Sequence, residues 1–172
     1  MSYYRSYLNK NNTLLKNSRI NTAKNPNTEI YYGNSFSRFI FEVDLTDLKN
    51  KIENGDLILN EQTKHYLNFT NTIFGDEYYL GKTNTRNRER ASSFDLILFK
   101  INEFWDEGVG FNYNELSSTL LGDRTISLIA SNWFNKTSLE NWTEFGSYTT
   151  PEILKTIHFD NGNENIKEDL TD

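Results

Sequence analysis

Apolar residues in this chain come in short, strand-length runs, each closed off by Asn, Gly or Asp, and this punctuation constrains the fold more than any other feature. Residues 36–43, FSRFIFEV, alternate: Phe36, Arg38, Ile40 and Glu42 face one way, and Ser37, Phe39, Phe41 and Val43 the other. That is the period of a half-buried strand. Residues 64–74, KHYLNFTNTIF, alternate again, with Leu67, Phe69 and Ile73 on one face. Residues 94–101, FDLILFKI, are apolar on both faces, which predicts a central strand. TISLIA (125–130) and ILKTIHF (153–159) add two more strand-like runs. A single stretch breaks the pattern: in DLTDLKNKIENGD, Leu45, Leu48 and Ile52 fall at helical spacing. There Thr46 or Asp47 can cap the start and Gly55 can close the end. Turn-rich stretches at 21–27, 75–77, 81–90 and 108–110 separate the runs. The expected fold is mainly β: an antiparallel jelly-roll-like β-sandwich at 18–172 with one short helix, preceded by an extended N-terminal arm at 1–17.

Composition narrows the chemistry. Aromatic residues make up 15% of the 172 residues, yet the whole hydrophobic set is only 36%, and 24 Asn, 17 Thr and 13 Ser fill the difference. No run approaches the ~18 apolar residues of a membrane span, so no membrane partner is expected. Without cysteine there is no disulfide framework, Cys-ligated zinc or thiol nucleophile. His65 and His158 are the only histidines, and neither sits in a recognisable motif. No G-x-S-x-G, Walker A loop, H-E-x-x-H or G-x-G-x-x-G following a strand is present. The expectation is a protein that is not an enzyme, with no catalytic set, cofactor or metal, acting by binding or assembly.

The net charge of −6 conceals a pattern. Residues 1–28 carry Arg5, Lys10, Lys16, Arg19 and Lys24 and no acid. KTNTRNRER (82–90) holds Lys82, Arg86, Arg88 and Arg90 around Glu89, whereas residues 91–172 hold fourteen acids against five bases. A basic arm and a basic loop on an acidic body can attract copies of the same chain. The arm reads either as a frayed terminus or as a segment that orders on a neighbour, with Tyr3, Tyr4, Tyr7 and Leu8 as anchors and the basic groups, Arg5 among them, setting register. The loop reads either as solvated surface or as an arginine fork for a neighbour's carboxylates. Nucleic acid is the least compatible partner, because the acidic body repels it.

Two aromatic segments carry the remaining candidates. In FWDEGVGFNY (104–113), Asp106 and Glu107 are adjacent carboxylates. Neighbours on a strand point to opposite faces, so they do not flank one glycosidic bond as an acid and its partner must. The expected role is local, with Trp105 packed inward and Gly108 and Gly110 bending the backbone. In SNWFNKTSLENWTEFGSY (131–148), Trp133 and Trp142 read as core or subunit contacts. With Trp105, they are also the candidate platforms for stacking a sugar ring. DNGNEN (160–165) is rich in oxygen ligands but lacks the spacing of a calcium loop.

Taken in order, NPNTEIYYG (25–33), SRFIFEVDLTDLKNKIENG (37–55), RERASSFDLILFKI (88–101), WDEGVGFNY (105–113), NWF with NWTEFGSY (132–148) and HFDNGNENIKEDLTD (158–172) resemble structural proteins of crAss-like tailed bacteriophages. Ser37, Arg38, Asp44 and Leu45, followed by Trp105, Glu107 and Gly108, bear a looser likeness to DNRLRE-type jelly-roll sandwiches, though Gly110-Phe111-Asn112 departs from that pattern. The resemblance implies a virion component assembled in the host cytoplasm: a tail or neck ring subunit in a ring-like homo-oligomer, touching other virion proteins. It also implies a chain that continues beyond Asp172. The alternative is a carbohydrate-binding adsorption module using Trp105, Trp133 or Trp142. On the assembly reading, charge reversal at Arg86, Arg88 and Arg90 blocks assembly, and deleting residues 2–17 impairs incorporation while sparing the fold.

Overall fold

The chain is described by a computed structural model at residues 3–23, 28, 30, 36–71, 93–108, 110, 130–148, 152–160 and 164–171. Those residues form six strands and one helix: β1 (Leu8–Leu15), β2 (Ser37–Val43), α1 (Thr46–Glu53), β3 (Tyr66–Phe69), β4 (Phe94–Phe99), β5 (Ile153–Phe159) and β6 (Ile166–Asp169). The fold is mainly β. The strands pair antiparallel as β1–β2, β3–β6 and β4–β5. Among the described residues no helix is long and apolar enough to cross a membrane. Two units emerge, each assembled from two separated stretches: Met1–Ile58 with Ile101–Thr150, and Leu59–Lys100 with Pro151–Asp172.

The first unit overturns the expected arm. Residues 8–15 are not a free extension but strand β1, with Leu14 opposite Arg38 and Asn12 opposite Ile40. Leu14 is fully buried and joins Ile40, Trp105, Trp133 and Trp142 in one core, with Phe36, Ile101 and Phe134 packed against it. Deleting residues 2–17 therefore removes a core strand, contrary to the expectation that it spares the fold. Alternation does not reveal β1, because three successive residues, Asn12, Thr13 and Leu14, are all buried.

What lets polar residues enter this interior is a closed set of hydrogen bonds. The Asn12 amide donates to the Ser131 carbonyl (2.8 Å) and Oγ (3.0 Å), while its oxygen accepts from the Thr22 backbone N–H (2.9 Å). The Thr22 hydroxyl accepts from the Thr13 N–H at 3.1 Å. Asn21 donates to the carbonyls of Glu107 and Ser131, both at 2.7 Å. A buried amide costs free energy unless it is paired in this way.

Residues 130–148 contain no regular strand, and side chains shape them. The Asn132 oxygen accepts from the backbone N–H of Phe134 (2.9 Å) and Asn135 (3.1 Å), and Thr137 Oγ1 accepts from those of Leu139 and Glu140. These local turns turn Trp133 and Trp142 inward, and the Trp142 indole N–H donates to the Asn132 carbonyl at 2.8 Å. Gly146 has φ +75, and a Cβ there would lie 2.7 Å from the Trp133 ring and 2.8 Å from an Arg38 nitrogen, so only glycine fits.

Helix α1 forms where its apolar spacing predicts, but its start is held differently. Neither Thr46 nor Asp47 caps it; Asp44 Oδ1 accepts from the Thr46 N–H at 2.9 Å. Gly55 (φ +79) closes the other end as expected, its N–H donating to the Ile52 carbonyl.

In the second unit, 153–159 is the strand that the sequence indicates. Strand β4 is a correction: among the described residues it pairs only with β5, and Ile97 is half exposed, so it is not seen as a central strand. Phe94 stacks on Phe159 with centroids 4.7 Å apart, and Ile157 and Phe159 are buried. Lys155 Nζ donates to the Asp169 carbonyl (3.3 Å), tying β5 to β6. The strand expected at 125–130 lies outside the described residues apart from Ala130, as does the 81–90 turn.

Candidate functional site

Residues 3–7 run extended ahead of β1, and two hydrogen bonds hold them. The Tyr4 hydroxyl donates to Asp47 Oδ2 (2.9 Å), and Ser6 Oγ donates to the Asp44 carbonyl (3.0 Å). By accepting this hydrogen bond, Asp47 holds the proton on the Tyr4 phenol and raises its pKa above the ordinary value. Because an extended chain alternates, anchoring Tyr4 and Ser6 turns Tyr3, Arg5 and Tyr7 outward together. Tyr3 is 85% exposed and Tyr7 73%. Of the sequence candidates, the structure thus brings Tyr3, Arg5 and Tyr7 into one outward row and gives Tyr4 the anchoring role. Lys82, Arg86, Arg88 and Arg90 lie outside the described residues.

The three tryptophans are core residues. Trp105, Trp133 and Trp142 are each at least 94% buried, so none presents a ring face for a sugar. This corrects their candidacy as stacking platforms and agrees with the packing expectation for 104–113. There, Glu107 Oε1 accepts from the Asn11 backbone N–H at 2.8 Å, and Gly108 and Gly110 adopt positive φ. Arg38 fills a collar of rings, with its guanidinium carbon 5.0 Å from the Trp133 centroid, 4.8 Å from Tyr148 and 5.4 Å from Phe36. It also donates to the Gly146 carbonyl at 2.7 Å. Burial lowers the Arg38 pKa from its ordinary value, and the rings and this carbonyl stand in for a counterion.

The chain matches no protein-family model, no curated protein and no solved structure.

Sequence reasoning missed a second cluster, on the outward face of β4–β5. His158 Nδ1 lies 2.7 Å from Asp95 Oδ1, and Nε2 lies 3.3 Å from Ser93 Oγ and 3.4 Å from Asp160 Oδ1. Asp95 is the cross-strand partner of His158, and Ser93 and Asp160 each sit two residues along, hence on the same face. The only sequence signal was a pair of i, i+2 patterns, Ser-x-Asp and His-x-Asp, and nothing local reveals that they oppose each other.

Serine, imidazole and carboxylate at these distances have the outline of a nucleophilic set. The hydrogen bond to Asp95, and then the charges of Asp95 and Asp160, raise the His158 pKa above its ordinary value. While the ring is protonated it donates at both nitrogens; once neutral with Nδ1–H on Asp95, its Nε2 lone pair faces the Ser93 hydroxyl. Among the described residues, no group of three or more His, Asp or Glu side chains is placed to hold a metal ion.

Proposed function

We propose that this chain is a virion structural protein of a tailed bacteriophage, a tail or neck ring subunit that acts by self-association and by contacts with neighbouring virion proteins. The observation that carries this reading is the outward row of Tyr3, Arg5 and Tyr7, pinned to the first unit by Tyr4 and Ser6. Tyrosine and arginine are the residues that most often anchor protein interfaces. A row fixed before contact also gives up little conformational entropy on binding. Its occupant in this reading is a second copy: the fourteen acids among residues 91–172 complement Arg5 and the other bases of 1–28. A jelly-roll-like sandwich is the architecture proposed for the whole subunit, on the strand-and-turn pattern of the sequence and the looser DNRLRE-type likeness.

The test is a Tyr3→Ala/Arg5→Glu/Tyr7→Ala variant, measured by light scattering and by incorporation into particles. None of the three substitutions touches the core, so tryptophan fluorescence is expected to stay native while the oligomer dissociates and incorporation falls. A variant with the parent's oligomeric mass and normal incorporation overturns the reading.

A further inference from the structure

We propose that Ser93, Asp95, His158 and Asp160 form a proton-operated latch on the β4–β5 ribbon, closed while His158 carries its proton and released as the pH rises. The latch sits at one end of the ribbon, where β4 begins and β5 ends. Among the described residues, Phe94 and Phe159 form the last rung at that end. Side chains on the outward face complete it. Asp95 reaches His158 from β4 at 2.7 Å, and Asp160 reaches it from just beyond β5 at 3.4 Å. Ser93 adds a hydroxyl at 3.3 Å. Among the described residues, Asp95 and Asp160 are the titratable groups that face the imidazole.

The proton decides the sign of each contact. Protonated, His158 donates from Nδ1 to Asp95 and from Nε2 to Ser93 or Asp160, so both strand ends are tied to one cation. Deprotonated, the ring keeps one N–H: Nδ1 still donates to Asp95, while Nε2 can only accept, from the Ser93 hydroxyl, and its contact with Asp160 is lost. Two carboxylates then face each other across the strands without a cation between them. The raised His158 pKa follows from the same geometry. A group whose folded pKa is raised stabilises the fold fully below its unfolded value, about 6.5 for histidine, and loses that contribution as the pH climbs through the folded value. Directly beneath lies the Phe94–Phe159 stack, the apolar contact that opening of this end exposes.

The latch is independent of the assembly reading and is tested on the intact chain by NMR. The His158 imidazole is expected to titrate above about 6.5, with Asp95→Asn and Asp160→Asn each moving its midpoint down and Asp95→Asn moving it further. Hydrogen-exchange protection of Phe94–Leu96 and Ile157–Phe159, corrected for base-catalysed exchange, is expected to fall between about pH 5.5 and pH 8.5. The fall should match the ratio of folded to unfolded protonation constants, and His158→Gln should flatten it. A His158 midpoint at or below about 6.5 in the unmodified chain overturns the proposal. So does protection that is constant across that window in the parent, or a midpoint that Asp95→Asn leaves unmoved.

Discussion

The two units of this chain hold themselves together by different means. In the first, three tryptophans and two aliphatic side chains share the interior with Asn12, Asn21, Ser131 and Asn132, and hydrogen bonds over long sequence separations settle the register. In the second, Ile157 and Phe159 are buried, and the charged groups that tie strands and their ends together lie at the surface. The contrast has a physical basis. A buried amide network is insensitive to pH but costly to break, because a donor or acceptor left unpaired has no water to turn to. An exposed ionic contact is weak, yet a proton can switch it.

The molecule supplies a separate probe for each unit. All three tryptophans belong to the first unit, and both histidines to the second. The largest expected effect is that deleting residues 2–17 abolishes native tryptophan fluorescence, since β1 leaves with Leu14 and Asn12. Native fluorescence in the deletion would restore the idea of a dispensable arm and erase the contrast. Next, Asn12→Ala strands Ser131 Oγ and the Thr22 N–H, each at a cost of about 1–3 kcal/mol, visible in urea melts followed by fluorescence. A loss below about 0.5 kcal/mol would mean that water repairs the network, and that the two interiors differ less than they appear to.

Acid and base sharpen the comparison further. In the first unit, Asn9 and then Lys10 lower the pKa of Glu42, and Thr46 lowers that of Asp44, so both contributions fade only as the pH falls below about 4. Lys136 is raised, chiefly by Glu103, and its contribution fades only above about pH 10.5. The second unit has its acid limit through Asp169, lowered chiefly by Thr171 and also by Lys64, but it weakens on the alkaline side as His158 loses its proton. Between about pH 6 and pH 9, exchange protection in the second unit is expected to decline while the fluorescence midpoint of the first holds steady. The smallest expected effect is at Lys49, whose exposed pair with Glu53 at 3.8 Å predicts a change within about 0.5 kcal/mol for Lys49→Ala by urea melt.

Where alternation and turn chemistry act locally, the sequence was readable. Strand β2, strand β5 and helix α1 lie close to where periodicity puts them, and Gly55 ends the helix because it alone tolerates the left-handed turn there. Strand β1 was not readable, because LNKNNTLL looks like a polar terminus until Ser131, 119 residues away from Asn12, is brought against it. The outward row at Tyr3, Arg5 and Tyr7 was legible as residue types, and its direction was set only by the bonds to Asp44 and Asp47. His158 lay in a strand that the sequence shows, but its partner Asp95 came from the register of a different strand.

By itself, then, the sequence determined a β-rich chain of short strands with one helix, inward tryptophans and a basic start on an acidic body. These follow from side-chain period, turn residues and charge counts, all of which act within a few residues. The tertiary structure alone decided that an asparagine-rich segment is a core strand, that an arginine is caged by three rings, and that an ordinary histidine sits between two carboxylates. Each of these depends on groups distant in sequence meeting at hydrogen-bond distance, and on the desolvation that makes such a meeting count.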